Sequence, residues 1–526
     1  MMTPPSQTES PLSMSPPSPE SKTAPFMVDF PSPPPAPDAS SQETIVVPPQ
    51  GVNDPSLNPS PLEPIMPEPG TTVIPPTEPP PVVKGNPWPK RILVIGLLLF
   101  FLGGAVFAGR MIMTKVSTPK EVVVNYWGLW EQEGVIKPII AEFESQNSTI
   151  KVQYSRQSPK QYRARLQTAI DAGNGPDIFR FHATWVPMLK NQLAAVPEDV
   201  MTPTTFASTY YPVATNDLVA GSTIYGIPLM IEGLGLFYNE DLFAAAGIAT
   251  PPTTWEELLA MVPKIARPEG NGFSTAAIAL GTTSNIENFS DILALMFMQN
   301  GANLGSLSGS EAEETLSFYK KFATATDPVY TWNDTMDNSM YAFASGKVAM
   351  IFAPSWRAFD IVEMAKQMNS NLRFKIAAVP QLPGNTVTWA SYWAEGVSEK
   401  STNKKAAWKF LQFLTSKETM IKLYNSEGNI RLFGEPYARV DMANLITDAP
   451  YVGPYIKQAN DSKSFPLASR TWDEGLNDKM MKYLENAVNA LGQGSSPQTE
   501  LETLQKGFSQ ILSQYGLVTT AASTTQ

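Results

Sequence analysis

The globular part of the chain opens with strand-like and helix-like patterns that alternate over short distances. Residues 121–126 have the pattern of a buried strand, residues 135–143 place apolar side chains on one helical face, and residues 150–154 alternate as a second strand. A second helical face at 162–170 ends at a glycine-rich stop, and a third strand opens at Asp177. This alternation favours a parallel sheet with right-handed crossovers, so the sequence predicts an α/β fold.

The ends of the predicted strands carry aromatic residues. Trp127 and Trp130 follow the first strand, and Phe181 and His182 follow the third, with Trp185 three positions later. Ligands of such sheets sit outside the carboxyl ends of the strands. These two strand ends are therefore candidate walls of a ligand site.

The sequence offers little material for catalysis. With one histidine and no cysteine, the chain has no His-rich or thiolate metal site and no cysteine nucleophile. A Ser-His-Asp triad would have to use His182, and no G-x-S-x-G turn supplies its serine. The chain also lacks a complete P-loop and a complete dinucleotide fingerprint. We expect no catalytic residues, no metal and no cofactor, although a pair of carboxylates for glycoside hydrolysis stays open.

The N-terminal region differs in composition from the rest. Residues 1–90 hold 27 of the 49 prolines and few long apolar runs, which predicts a disordered tail because such a segment buries too little apolar surface. We expect it to act as a spacer, with a docking or cell-wall role as the alternative.

An uncharged apolar run, ILVIGLLLFFLGGAVFAG, follows the tail at residues 92–109. As a helix it would span about 27 Å, close to the ~30 Å thickness of a bilayer's hydrocarbon core. No cleavage motif follows it, and a lipidated cysteine is excluded because the chain has none. The sequence predicts an uncleaved transmembrane helix at residues 91–113. Basic residues are balanced on its two sides, so they do not decide its orientation.

Tryptophans are the most informative residues of the globular part. Flat indoles can cover the apolar C–H face of a sugar ring, while Asp, Glu, Asn and His bond its polar rim. A mild acidic excess argues against nucleic acid as a partner. Trp255 and Trp408 sit beside apolar neighbours on predicted helices and are expected in the core. Six tryptophans fall mostly in predicted loops or at strand ends: Trp127, Trp130, Trp185, Trp356, Trp393 and Trp472.

An ordered set of segments resembles the extracellular solute-binding proteins of ABC sugar importers, the maltose-binding-protein-like family 1. The resemblance covers about residues 120 to 515. Its segments are PIIAEFESQNSTIKVQY, AGNGPDIF, STIYGIPLMIEGLGLFYNEDLF, PPTTWEEL, FASGKVAMIFAPSW, VSEKSTNKKAAWKFLQFLTSKE and GQGSSPQTELETLQKGF.

The resemblance implies a two-lobe periplasmic-binding-protein fold of type II with a hinge. Because the chain would cross between lobes more than once, each lobe is discontinuous. The implied organisation, with the tail and the helix in front, is 1–90 disordered, 91–113 transmembrane, 120–229 plus 383–440 lobe one, 230–382 plus 441–516 lobe two, and 517–526 disordered.

The resemblance also implies which residues bind the ligand. Glu232 would lie on the first hinge crossing, where family members place a carboxylate on the sugar, and Asp177 is assigned to the turn. His182 is expected to donate to the rim of the sugar, with a structural histidine as the alternative. The implied set is Trp127, Trp130, Glu131, Phe181, His182, Trp185, Glu232, Asn285, Trp356, Tyr392, Trp393 and Trp472.

The implied function is a bacterial membrane-anchored receptor that captures a mono- or oligosaccharide and delivers it to an ABC permease. The chain would be a single-pass monomer with its N-terminus in the cytoplasm and its binding lobes outside. A sugar sensor or adhesin without transport is the main alternative, followed by a surface glycosidase. Arg180 and Arg470 leave open a charged ligand such as a sugar phosphate.

Overall fold

The computed structural model describes residues 120–384 and 386–517, together with Gly96. The residues from 120 onward all belong to one compact unit. The predicted tail at 1–90 and transmembrane helix at 91–113 lie outside the described residues, Gly96 excepted, as does the predicted C-terminal tail beyond Leu517. Among the helices that the structure describes, none is long and apolar enough to cross a bilayer.

The described strands and helices follow one another along the whole globular part. The strands are β1 Val122–Gly128, β2 Ile150–Arg156, β3 Ile178–His182, β4 Val219–Ala220, β5 Thr223–Ile224, β6 Ile227–Pro228, β7 Gly235–Asn239, β8 Arg267–Glu269, β9 Gly272–Ile278, β10 Val348–Ala353, β11 Phe374–Ala377, β12 Thr388–Trp389, β13 Trp393–Val397 and β14 Ser462–Lys463. The α-helices are α1 Glu133–Gln146, α2 Tyr162–Asp171, α3 Val186–Leu189, α4 Pro203–Thr209, α5 Pro212–Leu218, α6 Glu240–Ala245, α7 Trp255–Ile265, α8 Phe289–Gln299, α9 Ser310–Lys321, α10 Ser339–Ala344, α11 Arg357–Gln367, α12 Lys404–Leu414, α13 Lys417–Gly428, α14 Gly453–Gln458, α15 Leu476–Gly492 and α16 Pro497–Gln514.

Two five-stranded sheets form the centres of two lobes. The first sheet has the order β2-β1-β3-β13-β6, and the second has the order β11-β7-β10-β9-β8. Helices α1, α12 and α13 pack beside the first sheet, while α15 and α16 pack with α8 and α9 of the second lobe. The two-lobe α/β fold expected from the resemblance is thus confirmed.

The first sheet is parallel only in part. β1 pairs with β2 and β3 in parallel, as the sequence predicts. β13 pairs antiparallel with both β3 and β6. The sheet is therefore mixed, because β13 enters from the second lobe without a right-handed crossover helix in front of it.

The helix faces and core residues predicted from the sequence agree with the burial seen in the structure. The buried residues of α1 are the five apolar residues of the predicted face: Val135, Ile136, Ile139, Ile140 and Phe143. A capping box formed by Thr254 and Glu257 opens α7. Trp255 and Trp408 are 4% and 2% exposed, which confirms them as core residues.

The chain passes from one sheet to the other along two adjacent segments. One runs from β6 to β7 and the other from β11 to β13, and they meet where Gly233 bridges Ala390. A Cβ atom on Gly233 would lie 1.8 Å from the carbonyl oxygen of Trp389. Only glycine allows the two crossing segments to approach this closely.

Candidate functional site

Aromatic side chains cluster at the carboxyl ends of β1 and β3 in the first lobe. β13 runs antiparallel to β3, so its first residue, Trp393, lies opposite His182. The Trp393 ring meets His182, Trp185 and Trp130 edge to face, with centroids 5.2, 5.1 and 5.5 Å away. Trp185 is fully buried, whereas Trp130 and Trp393 are half-buried. These two indoles form the aromatic surface of the first lobe.

The His182 side chain is buried beneath this surface and uses both ring nitrogens within the protein. Nδ1 accepts from the backbone N–H of Thr184 at 3.3 Å and lies 2.8 Å from the Thr184 hydroxyl. Nε2 therefore carries the proton in this network and faces the Ser391 hydroxyl at 3.1 Å. Burial lowers the pKa of His182 to about 3, so the ring is neutral. These contacts favour the structural alternative over a donor to the ligand.

Glu131, a predicted ligand contact, lies in a buried ion-pair cluster with Arg180 and Glu395. Arg180 is 0% exposed and its Nη2 lies 2.7 Å from Glu131 and 2.5 Å from Glu395. Its Nε donates to Glu395 at 2.6 Å as well. One guanidinium thus balances two buried carboxylates, and both Glu131 and Arg180 are used in holding β3 to its neighbours. Neither is available to a ligand in this arrangement.

Phe181 and Tyr392 also lie inside the first lobe and not on its surface. Phe181 is fully buried, and its ring fills the space that Cβ atoms on Gly226 and Gly396 would occupy. Tyr392 is fully buried and its hydroxyl donates to Asp217 at 2.9 Å. The structure therefore gives both predicted site residues a packing role.

Glu232 lies on the first crossing segment, where the sequence analysis expects it, but its carboxylate is occupied by the second lobe. Ser355, at the end of β10, donates its backbone N–H to Oε2 at 3.1 Å and its hydroxyl to Oε1. The carboxylate is buried, and this burial raises its pKa to about 8. Ser391 donates its N–H to the Glu232 carbonyl at 2.9 Å. Glu232 thus joins the crossing segments to the loop that carries Trp356.

The second lobe presents two half-buried indoles, Trp356 and Trp472, each covered by a guanidinium. Arg357 lies 4.5 Å above the centre of the Trp356 ring, and Arg470 lies 5.8 Å from Trp356 and 5.4 Å from Trp472. Both arginines contact the carboxylate of Glu287. This cluster, Trp356, Arg357, Arg470, Trp472 and Glu287, is called the Arg–Trp cluster below.

Asn285 is not part of the Arg–Trp cluster, although the sequence analysis places it in the site. Its Nδ2 donates to the carbonyls of Asn333 and Met336, and its Oδ1 accepts from Thr282 and from the indole of Trp332. All of its hydrogen-bonding capacity is used in fixing the loop before α8. A loose correspondence of sequence position could not reveal this.

The loop that carries Trp472 contacts the first lobe directly. The carbonyl of Asp473 accepts from Nε of Arg163, on α2, at 2.6 Å. The Asn477 side chain, at the start of α15, donates to the Thr184 hydroxyl at 2.8 Å. The Arg–Trp cluster therefore lies on the side of the second lobe that faces the first, and the space between them is the candidate ligand cleft.

The predicted residues thus separate into a surface set and a supporting set. Trp130, Trp393, Trp356 and Trp472 are half-buried, and Trp127 is half-buried within β1 against the core. The supporting set is buried behind them: Glu131, Phe181, His182, Trp185, Glu232, Asn285 and Tyr392.

Arg357, Thr184 and Asn477 were missed by the sequence analysis. Arg357 directly follows Trp356, so an aromatic residue beside a cation was the available signal. Asn477 carries no local signal, because its partner Thr184 lies 293 positions away. In the part of the chain that the structure describes, no group of three or more His, Cys, Asp or Glu could hold a metal ion.

Comparison with known families and proteins gives a consistent result. The family model described as bacterial extracellular solute-binding protein matches residues 138–431. A putative binding protein of Brucella abortus is 25% identical over 343 residues, covering 64% of this chain and 80% of that protein. The multiple sugar-binding protein of Streptococcus mutans is 24% identical over 357 residues, with 65% and 82% covered.

Solved structures share the fold. A cyclo/maltodextrin-binding protein complexed with maltotetraose superposes with a TM-score of 0.61 at 20% identity, covering 75% of this chain and 98% of that one. The sugar-binding protein MalE from Xanthomonas citri gives 0.60 at 21% identity, with the same coverage.

Proposed function

This chain belongs to the family of bacterial extracellular solute-binding proteins, and we propose that it captures a carbohydrate between its two lobes and delivers it to an ABC importer. The observation that supports this proposal is the pair of half-buried indoles at the strand ends of the first lobe, Trp130 and Trp393. The Arg–Trp cluster of the second lobe supplies the polar groups opposite them. Indole faces and edges suit the C–H surface of a sugar, and polar side chains around them can bond its hydroxyls.

The names of relatives support a carbohydrate ligand. Similar proteins include a multiple sugar-binding protein and a maltooligosaccharide ABC transporter solute-binding lipoprotein, and a similar structure was solved with maltotetraose. We therefore assign to this chain a mono- or oligosaccharide ligand and an ABC permease as the protein partner.

The mechanism that we propose is closure of the two lobes without covalent chemistry. Closure would bury the sugar between the indoles of the first lobe and the Arg–Trp cluster of the second, and it would present a continuous surface of both lobes to the permease. A glycosidase would need a pair of carboxylates, and Glu131 and Glu232 are the two in the predicted site. Arg180 pairs with Glu131, and Ser355 donates to Glu232. A carboxyl group held in this way is used in fixing the shape of the cleft.

The organisation around the lobes is part of the same proposal. We assign residues 120–229 plus 383–440 to one lobe and 230–382 plus 441–516 to the other, with a hinge at the crossing segments. The apolar run at 92–109 would anchor a monomer as a single-pass protein, with its N-terminus in the cytoplasm.

The test is a titration of the purified full chain in detergent with maltotetraose, cellotetraose and mannobiose, followed by calorimetry and tryptophan fluorescence. We expect at least one saccharide to bind and to change the fluorescence. Trp393→Ala should weaken that binding at least tenfold, because Trp393 lies at the centre of the aromatic cluster. Tyr341→Ala is the matched control, an exposed aromatic residue on α10. If no saccharide, neutral or charged, binds the chain, the carbohydrate proposal is refuted.

A further inference from the structure

The Arg–Trp cluster presents cations to the cleft more than it presents free indole faces. Arg357 and Arg470 both lie over Trp356, and Arg470 also lies over Trp472. A ring face that is covered by a guanidinium is not open for stacking with a sugar. In this arrangement the two indoles hold the arginines in position through cation–π contacts.

Two carboxylates accompany the two guanidiniums of the Arg–Trp cluster, but they are divided unequally between the arginines. Glu287 is shared by both guanidiniums, while Asp360 contacts Arg357 alone, at 2.5 Å. Burial, followed by repulsion from Arg470, lowers the pKa of Arg357 to about 10. Arg470 therefore has no carboxylate of its own among the described residues.

Arg470 is the member of the pair that a ligand can reach. Its side chain is 34% exposed, compared with 8% for Arg357. Within the described residues, only Nη1 of Arg470 donates a hydrogen bond, to Glu287 at 2.8 Å, and Nε has no partner. Because Nε is buried, the capacity for a ligand lies with the unused N–H groups of Nη1 and Nη2, which can form two parallel hydrogen bonds to a carboxylate or a phosphate.

The backbone holds Arg470 in place at an energetic cost. Arg470, Trp472 and Glu474 have φ angles of 58°, 49° and 46°, a left-handed conformation that non-glycine residues rarely adopt. Such conformations persist where the surroundings fix them, and they cluster at ligand sites. In this loop they alternate, which directs Arg470 and Trp472 to the same cluster as Trp356.

We infer that the carbohydrate bound in this cleft carries an anionic group, a carboxylate or a phosphate ester, that pairs with Arg470. This inference rests on the proposed function and deepens it by naming the class of saccharide. Arg180, the other cation that the sequence leaves open, is enclosed by Glu131 and Glu395 and takes no part.

The experiment compares ligands that differ only in charge, using the full chain in detergent and calorimetry. One pair is trigalacturonic acid and its methyl ester, which removes the carboxylates; the other is glucose 6-phosphate and glucose. Neutral maltotetraose is titrated in parallel. The two pairs distinguish a uronic acid from a sugar phosphate. We expect the charged member of one pair to bind at least tenfold more tightly than its neutral partner.

Variants at Arg470 assign that preference to its guanidinium. Arg470→Gln should lower the affinity for the charged ligand at least tenfold, about 1.4 kcal/mol, and change neutral ligands less than twofold. Arg470→Lys keeps the charge without the planar fork and should retain part of the preference. Arg373→Gln is the control, because Arg373 is exposed and paired with Asp241 elsewhere on the second lobe.

The outcomes separate this inference from the proposed function. Binding of a neutral saccharide that Arg470→Gln leaves unchanged, without a preference for any charged partner, overturns the inference and leaves the proposed function standing. Failure of every saccharide to bind overturns both. A charged preference that Arg470→Gln and Arg373→Gln reduce equally also overturns the role of Arg470.

Discussion

The side-chain amide of Asn477 donates a hydrogen bond to the hydroxyl of Thr184 over 2.8 Å, joining the first turn of α15 in one lobe to the loop after β3 in the other. The Thr184 hydroxyl also contacts Nδ1 of His182, and Nε2 of His182 contacts the Ser391 hydroxyl. One chain of hydrogen bonds therefore connects the contact between the lobes to the residues beneath the aromatic surface.

Thr184→Val should weaken ligand binding without unfolding the protein. Valine keeps the shape of threonine and removes the hydroxyl that Asn477 and His182 share. We expect a loss of about 1 kcal/mol from the closed state, or roughly fivefold in the dissociation constant. Thr184→Ser retains the hydroxyl and should bind as the unchanged chain does. An unaltered dissociation constant for the valine variant would show that closure does not use this bond.

Arg180→Met should destabilise the first lobe strongly. It leaves Glu131 and Glu395 buried without a counter-charge, and breaking a buried ion pair in this way costs about 3–5 kcal/mol. Arg373→Met removes an exposed pair and should cost less than about 1 kcal/mol. The measurement is thermal or urea unfolding. Adding Glu131→Gln and Glu395→Gln to Arg180→Met should recover part of the loss, and equal effects of the two single arginine variants would contradict the prediction.

Glu232→Gln should change the pH dependence of stability. The pKa of Glu232 is raised from its ordinary 4.5 to about 8, so the folded state binds a proton more tightly than the unfolded chain. This group's contribution is most favourable below pH 4.5 and is lost as the pH rises to about 8, with a limiting slope of roughly 1.4 kcal/mol per pH unit. Gln cannot titrate, so the variant should gain stability relative to the unchanged chain between pH 5 and 8.

Urea unfolding of both proteins at pH 5, 6.5 and 8 checks the Glu232 prediction. A constant difference between the two curves would mean that Glu232 is ionised throughout this range. Asp217, whose pKa burial raises to about 6, titrates equally in both proteins and cancels in the difference.

Gly233→Ala should disrupt the crossing between the lobes. The added Cβ would lie 1.8 Å from the Trp389 carbonyl oxygen, so one of the two crossing segments must move. We expect a loss of about 3 kcal/mol or more, the upper range for overpacking, together with weaker ligand binding. Gly134→Ala in α1 is the control: its Cβ meets no atom within 4 Å, so we expect a gain of about 0.5–1 kcal/mol. Equal unfolding midpoints for the two variants would contradict this account.

The sequence predicts the local elements of this fold well because local periodicity reports burial directly. The buried face of α1, the capping box of α7 and the parallel pairing of β1 with β2 and β3 all follow from neighbouring residues. The antiparallel entry of β13 does not, because it depends on a strand that arrives from the other lobe.

The site is harder to predict because residue type does not reveal which way a side chain points. All five residues of β3 are buried, so alternation along this strand gives no signal about Phe181 and His182. Trp130, Trp356, Trp393 and Trp472 are half-buried, and their role as ligand contacts stays a prediction. The sequence could not predict that Arg180 pairs with Glu395, because the two residues are 215 positions apart.

The insertion of β13 between β3 and β6 also constrains how the protein is made. β3 and β6 are synthesised early, but the strand that separates them, with the second carboxylate for Arg180, emerges only after the whole second sheet. The first sheet thus stays incomplete until residue 397 has left the ribosome, and pairings of such long range form slowly.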